Sequence, residues 1–432
     1  MKAIVVGSGA GGAIAARKLA QNGFEVTILE AGKPFSPLTH KVSWLSSLRG
    51  SWLLKDENSI THVFPHYGVT RASQDLAIFR GVTEGGCTSI ACGNMVRAEN
   101  GLKEIGLDLS KESEEIEKAL TIASIPRERW RPLTQQMYDH AELLGHKPKP
   151  TPKVDDLSKC VGCGYCELGC TTGAKWDSRR VYKEFLGRGI SLLTNTIVQK
   201  VLVEGNCVSG VLVSSGSSHE KINADIVVLS AGGIGTAQIL KASDLVTRDN
   251  LWVDVVLTVG GVQKDSKMLN EPPMAWFIKK DNYILSPYFD LLSYWFHKPW
   301  KDVSAEDRVG MMIKLADTEQ GVVAADGTVT KSLTKADYDS LDKAKNEAKQ
   351  IMEASGVKGP FVDGMIHGGH LGGTVPLTED DVESMHPSWL PQDLWVADLS
   401  LMPRSQGLPT MLIAAALSLR VTKKILQEKC NR

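Results

Sequence analysis

No run in this chain approaches the roughly 18 consecutive apolar residues that a membrane-spanning helix needs. An excess of charge of either sign is also missing. The 49 basic residues meet 50 acidic ones for a formal charge of −1, which removes the electrostatic reason to expect nucleic acid or an anionic membrane as partner. Internal repeats and low-complexity tracts are lacking, and so is room for a leader, because an apolar strand follows Met1 at once. Cysteine is sparse, with eight in 432 residues, and half of them crowd into eleven positions. That distribution argues for thiolates kept for metal in a reducing compartment rather than for disulfides, so a cytoplasmic location is the expectation. Apolar content of 42% is ordinary, and the length allows two or three domains that need not be contiguous.

The crowded cysteines, Cys160-Val-Gly-Cys163-Gly-Tyr-Cys166-Glu-Leu-Gly-Cys170, have the C-x2-C-x2-C-x3-C spacing of bacterial ferredoxins. Soft thiolates in one short loop can surround iron or zinc without help from distant chain. Thr171 follows Cys170 where the ferredoxin run has proline, and there is no second set of four. The spacing therefore predicts that Cys160, Cys163, Cys166 and Cys170 share one 4Fe–4S cluster, or that one ligand comes from elsewhere, Cys92 being available. Structural zinc and a metal-free loop are the alternatives.

At the other end, Lys2 to Val6 reads as a buried strand, Gly12 to Asn22 as a helix and Phe24 to Leu29 as a second strand. Gly7, Gly9 and Gly12 fit G-x-G-x-x-G between strand and helix. The first glycine permits the tight turn, the second lets backbone approach a pyrophosphate, and the third lets helix and strand pack closely. Glu30 falls where a carboxylate accepts hydrogen bonds from an adenosine ribose. A dinucleotide site beside an iron–sulfur signature points to a redox protein that joins a two-electron to a one-electron carrier.

Further along, Trp44 to His66 is irregular, Glu112 to Ala123 is an amphipathic helix, and Lys147-Pro-Lys-Pro-Thr-Pro152 is a stiff linker. Strands fill Ile190 to Val213, and Ala224 to Gly235 is a buried strand entering a glycine turn. A third of the chain's aromatic residues lie between Trp276 and Trp300, lining an apolar pocket or partner surface, or packing a small core. Lys335 to Ala354 reads as a solvated helix, and Leu394 to Lys429 returns to strand, loop and helix.

Several segments resemble the glucose–methanol–choline (GMC) oxidoreductases, in that family's order. Gly81-x3-Gly85-Gly86-x-Thr88 resembles their flavin-contacting loop, and Ala231-Gly232-Gly-Ile-Gly235 to Ser243 their second signature, with Ala237 in place of proline. His370-Leu-Gly-Gly373-Thr374 resembles H-x-x-G-T, and Leu394 to Pro409 the closing segment. Cys160 to Lys175 also resembles a cysteine-rich stretch in the branch holding cholesterol and long-chain alcohol oxidases.

The resemblance implies an α/β chain, α+β overall. A Rossmann-type FAD-binding domain would be built from 1–150 (with a helical segment at about 101–146), 181–245 and 366–432. A cysteine-rich loop over 151–180 and a smaller sheet-containing substrate domain over 246–365 would complete it. Gly7, Gly9, Gly12 and Glu30 would hold the ADP half of FAD, with Gly85, Gly86 and Thr88 along the flavin. Ala231, Gly232 and Asp398 would lie near the ribityl and pyrophosphate, and Cys87 and Cys92 close to the isoalloxazine. His370 is the implied base for hydride transfer from an alcohol, with His367 second. The family's second histidine or asparagine has become Leu408, and Gln406 is the nearest polar substitute.

The expected activity is an FAD- and iron–sulfur-dependent dehydrogenase. It would exchange a hydride with an alcohol-type substrate and pass electrons to a ferredoxin-like carrier or partner subunit. The alternatives are a non-catalytic electron-transfer subunit and a metal-free alcohol oxidase.

Overall fold

A computed structural model describes residues 1–39, 56–216, 218–300 and 302–430, so part of the Trp44 to His66 stretch lies outside the described residues. The chain opens with β1 (Lys2–Val6), α1 (Ala10–Gln21) and β2 (Glu25–Leu29). Next come an antiparallel pair, β3 (Tyr67–Arg71) and β4 (Leu76–Gly81), and the helices α2 (Ser110–Ala119) and α3 (Pro132–Leu143). The parallel sheet resumes with β5 (Ile190–Leu193). A three-stranded antiparallel sheet then covers it: β6 (Ile197–Glu204), β7 (Cys207–Ser215) and β8 (Ser218–Asn223). β9 (Ile226–Leu229) leads into α4 (Gly232–Ala242).

A second sheet follows, with β10 (Val255–Val262), β11 (Trp276–Lys279), β12 (Tyr283–Pro287) and β13 (Arg308–Leu315). α5 (Lys335–Ala354), β14 (Lys358–Asp363) and β15 (Ile366–Gly368) come next, then β16 (Leu394–Val396) and α6 (Met411–Cys430).

The parallel sheet has the order β16–β9–β1–β2–β5. Its central strands are apolar on both faces because helices cover one side and the three-stranded sheet the other. α6 lies against α1, with the Ser418 hydroxyl donating to the Gly11 carbonyl at 2.7 Å.

The second sheet runs β3–β4–β15–β10–β13–β12–β11 and ends on Lys149–Pro150, with β14 also pairing β10. Strand alternation gives it two faces. Val255, Leu257, Met311, Ile313 and Leu315 point into one core with Leu341, Ala344, Ala348, Ile351 and Met352 of α5. α5 is thus solvated on one side only. Ile284, Tyr288 and Met312 face the other way, into the core around the parallel sheet.

Two expectations change. Residues Lys147 to Pro152 are not a free linker: Lys149–Pro150 pairs with Trp276–Phe277, and Pro152–Lys153 with Ala123–Ser124. Proline is tolerated in these pairings because they are two-residue edge contacts. The aromatic run is divided among three cores, with Trp276 on α5's side, Phe277 and Tyr288 with the parallel sheet, and Phe289, Tyr294 and Trp295 in a third cluster with Phe64 and Phe79.

Candidate functional site

The nucleotide cradle is assembled where β1 ends. Gly7 has φ of 97°, and a Cβ there would meet the Ser230 carbonyl oxygen at 2.4 Å. A Cβ on Gly12 would lie 1.9 Å from the Gly7 carbonyl oxygen, so helix and turn touch backbone to backbone. Gly9 stands at the N-cap of α1, which has no side-chain cap and no acidic residue in its first turn. Its first N–H groups are therefore left for an anion, which fits a pyrophosphate.

Glu30, buried at the end of β2, ties the turns together. Its Oε2 accepts the Ser8 N–H at 3.0 Å and hydroxyl at 2.6 Å, and its Oε1 accepts the Gly32 N–H at 2.9 Å. Ser8 Oγ accepts the Gly85 N–H at 2.8 Å, which brings in a loop 77 residues away. Gly86 lies so close to Gly9 that a Cβ on it would approach the Gly9 Cα to 3.1 Å. Thr88 locks this loop, donating to the Gly85 carbonyl at 2.7 Å and accepting the Ser178 N–H at 2.9 Å. Asp398 caps α4, accepting from Gly232 N–H at 2.8 Å, Thr236 hydroxyl at 2.6 Å and Ser400 N–H at 2.8 Å. Ala231, directly before Gly232, donates its N–H to Thr236 Oγ1 at 3.2 Å. Ser8 and Ser178, which bridge these pieces, carried no motif of their own.

A cavity of about 160 Å3 lies between this cradle and the second sheet. Its floor is set by register. Ala77, His367, Val256 and Lys314 are successive cross-strand partners on β4, β15, β10 and β13, and so share one face. Phe79 and Met312, two residues along their strands, extend that wall. Cys87, Ile90, Cys92 and Asn94 form the side nearest the glycine loop, while His370, Pro409, Thr410 and Met411 close the end. The Cys87 sulfur accepts the Gly81 N–H at 3.3 Å.

His370, itself about one-third exposed, meets a buried charge pair, Asp254 and Lys314, that sequence reasoning missed. Its Nδ1 lies 3.4 Å from Asp254 Oδ2, and Lys314 Nζ lies 3.2 Å from the same oxygen. Asp254 Oδ1 accepts the Gln406 N–H at 2.7 Å, the Gly407 N–H at 2.8 Å and the Ser405 hydroxyl at 2.7 Å. Burial would raise the Asp254 carboxyl, but the Lys314 ammonium and His370 outweigh it and hold it at about 2. Exclusion from bulk water, and then the Lys314 charge, push His370 below the ordinary imidazole value against the pull of Asp254. A histidine kept neutral at the cavity wall can accept a proton. The available signal was a lone charge in each of two apolar runs, Val253-Asp254-Val255 and Met312-Ile313-Lys314-Leu315.

His367 also lines the cavity, with Nε2 3.8 Å from Asp290 Oδ2 and its ring edge-on to Phe79. Gln406 does not line it. Its amide donates to the carbonyls of Asn100 and Arg404 and accepts the Asn100 N–H at 2.9 Å, which leaves it as a strut between distant loops.

The cysteine segment contributes something other than expected. Among the described residues no three His, Cys, Asp or Glu side chains converge as metal ligands, and Cys160, Cys163, Cys166 and Cys170 are included in that statement. The turn Cys166–Leu168 is aimed inward, with Leu168 in the core, while Cys163 is exposed. Burial pushes the Cys166 thiol up to about 12. Cys170 Sγ instead accepts the Lys175 N–H at 3.4 Å. As placed, the four thiols are not gathered into a ligand set for a 4Fe–4S cluster or zinc.

What the turn delivers is Glu167, whose Oε1 accepts the Tyr288 hydroxyl at 2.6 Å on the cavity wall. Burial raises its carboxyl to about 7 against that hydrogen bond. Purified protein is therefore expected to carry substoichiometric iron and zinc, with Cys163→Ser melting within about 0.5 kcal/mol of wild type. Four irons per chain, lost together in Cys163→Ser, would show that a cluster forms.

Comparison with known proteins bears on the family and the fold. The GMC oxidoreductase family matches residues 1–260. An uncharacterised protein of Methanocaldococcus jannaschii is 30% identical over 277 residues, covering 63% of this chain and 70% of its own length. A long-chain-alcohol oxidase of Arabidopsis thaliana is 24% identical over 413 residues, covering 82% of this chain and 53% of its own length, so this chain spans about half of it. Pyridoxine 4-oxidase from Mesorbium loti superposes with a TM-score of 0.75 at 15% identity, covering 99% of both chains. Formate oxidase gives 0.72 at 15% identity, covering 99% and 98%. Among the described residues no helix is long and apolar enough to cross a membrane. The match across more than half of the sequence and the end-to-end superpositions lead to one conclusion: the chain belongs to the GMC oxidoreductase family.

Proposed function

We propose that this protein is an FAD-dependent oxidoreductase that oxidises an alcohol-type substrate, with His370 as base. The observation that carries the reading is an imidazole beside the buried Asp254–Lys314 pair, on the wall of a cavity adjoining an uncapped, glycine-lined helix N-terminus. Gly7, Gly9, Gly12 and Glu30 would hold the ADP half of FAD, with Gly85, Gly86, Cys87 and Cys92 beside its flavin. Bound there, FAD supplies a hydride acceptor. The protein's residues do the rest. Phe79, Val256 and Met312 give the substrate carbon an apolar wall, and His370 takes the hydroxyl proton.

The expected dehydrogenase preference rested on a cluster as electron exit. Without gathered ligands that reason falls, and reoxidation by dioxygen is the proposal that the alcohol-oxidase relatives support. The test mixes FAD-loaded protein anaerobically with primary alcohols from methanol to long-chain members, then admits air. Bleaching of the flavin band, and one hydrogen peroxide per bleaching event, are expected. No bleaching by any alcohol would sink the reading, while bleaching without peroxide but with dye reduction would make the enzyme a dehydrogenase.

A further inference from the structure

The family resemblance puts Leu408 where a polar side chain is usual, and the second sheet brings a different polar group to the cavity, Lys314. Lys314 lies on β13 facing the cavity, in register with Val256 and His367. Its side chain is 4% exposed, and its Nζ makes two contacts with one residue: Asp254 Oδ2 at 3.2 Å and the Asp254 carbonyl at 3.4 Å. An ammonium has three donors. One is donated to the Asp254 carbonyl and one faces the carboxylate as an ion pair without hydrogen-bond geometry, which leaves the third for the cavity that His370 also lines.

We infer that Lys314 is a catalytic residue, its third N–H and its charge binding the substrate oxygen. This rests on the alcohol-oxidation reading. The O–H proton would pass to His370, and FAD held in the glycine cradle would supply the acceptor for the C–H bonding pair. The oxygen bears negative charge until C=O is complete, and the buried Lys314 ammonium stabilises that charge. A preorganised donor of this kind is worth about 10²–10³ in rate. The same ammonium, by keeping His370 unprotonated, sets the base ready at neutral pH.

The test uses FAD-loaded full-length protein, 1-butanol as reductant and acetate as an oxyanion probe whose binding perturbs flavin absorption. Lys314→Met should slow flavin reduction about 10²–10³-fold and weaken acetate by about tenfold or more, equivalent to about 1.4 kcal/mol. The acid limb of its reduction profile should move to higher pH, because His370 no longer feels the positive charge. Asp254 left without its cation can unfold that variant. Lys314→Gln, which keeps a hydrogen-bond donor to Asp254 without charge, should show the same loss of acetate. Wild type gives a third arm, in which acetate affinity falls as pH rises through titration of the ammonium. Acetate binding that is independent of pH, or a folded variant that keeps wild-type affinity and rate, overturns the assignment. A wild type that no alcohol reduces fails the alcohol reading instead, and the acetate arms still decide Lys314.

Discussion

Asp254→Asn should cost about 3–5 kcal/mol of stability and most of the flavin reduction, the largest combined effect expected of any single substitution here. Asparagine is the informative replacement. Asp254 adopts φ of 49°, a conformation asparagine also tolerates, and an amide oxygen can still accept the Gln406 and Gly407 N–H groups. What disappears is the charge. Lys314, buried beside it, is left without a counterion, and burial already pulls its pKa down against the support of Asp254. Lys314 should then lose its proton, which removes the positive charge that faces the substrate oxygen.

The damage should spread, because Ser405 bridges Asp254 at 2.7 Å and Asp317 at 3.1 Å, and Asp317 pairs with the fully buried Lys331 at 2.8 Å. A pH dependence follows. The Asp254 carboxyl is held near 2 in the fold and lies near 3.9 unfolded, so its contribution is complete above about 4 and is lost as pH falls toward 2. Chemical denaturation across pH 2 to 7 should show that acid-side loss in wild type and a flatter curve in Asp254→Asn. Equal midpoints at pH 7 would mean that the pair contributes nothing net.

The same cluster shows where sequence reading succeeds and where it stops. The unit from Lys2 to Glu30 was legible because its logic is local, with apolar strand, glycine turn, helix and acid lying within thirty residues. Likeness to a family singled out the loop Gly85 to Thr88, which meets Gly9, and His370, which lines the cavity. Asp254, Lys314 and Gln406 were not, because their roles depend on pairings across the chain. Lys314 reaches the site only through the register that sets it beside Val256, and Gln406 is spent on Asn100 across 306 residues. The cysteines failed in the opposite way. Their spacing is a strong local signal, but an inward turn at Cys166–Leu168 answers to the core, which takes Leu168 and sends Glu167 into the cavity. Local pattern reports what residues can do; long-range pairing decides which of them are placed to do it.

His370→Asn should lower the rate of flavin reduction by about 10²–10⁴-fold while FAD stays bound. Two histidines line the cavity, and their surroundings separate them. His367 lies within a strand, 9% exposed, against Phe79 and near Asp290. His370 follows that strand, is 33% exposed, and touches the charge cluster through Nδ1. A base must present an accessible nitrogen to the substrate oxygen and must be unprotonated, and His370 meets both conditions. Since its pKa lies below the usual imidazole value, wild-type reduction should be constant at neutral pH and fall only as pH drops below about 6.5 and His370 takes up a proton. Asparagine cannot titrate there, so the residual rate of the variant should lose that acid limb altogether. Single-turnover reduction measured from pH 5 to 9 distinguishes the two histidines. Persistence of the limb in His370→Asn, with its loss in His367→Asn, would move the base to His367 and leave His370 as the residue that anchors Asp254.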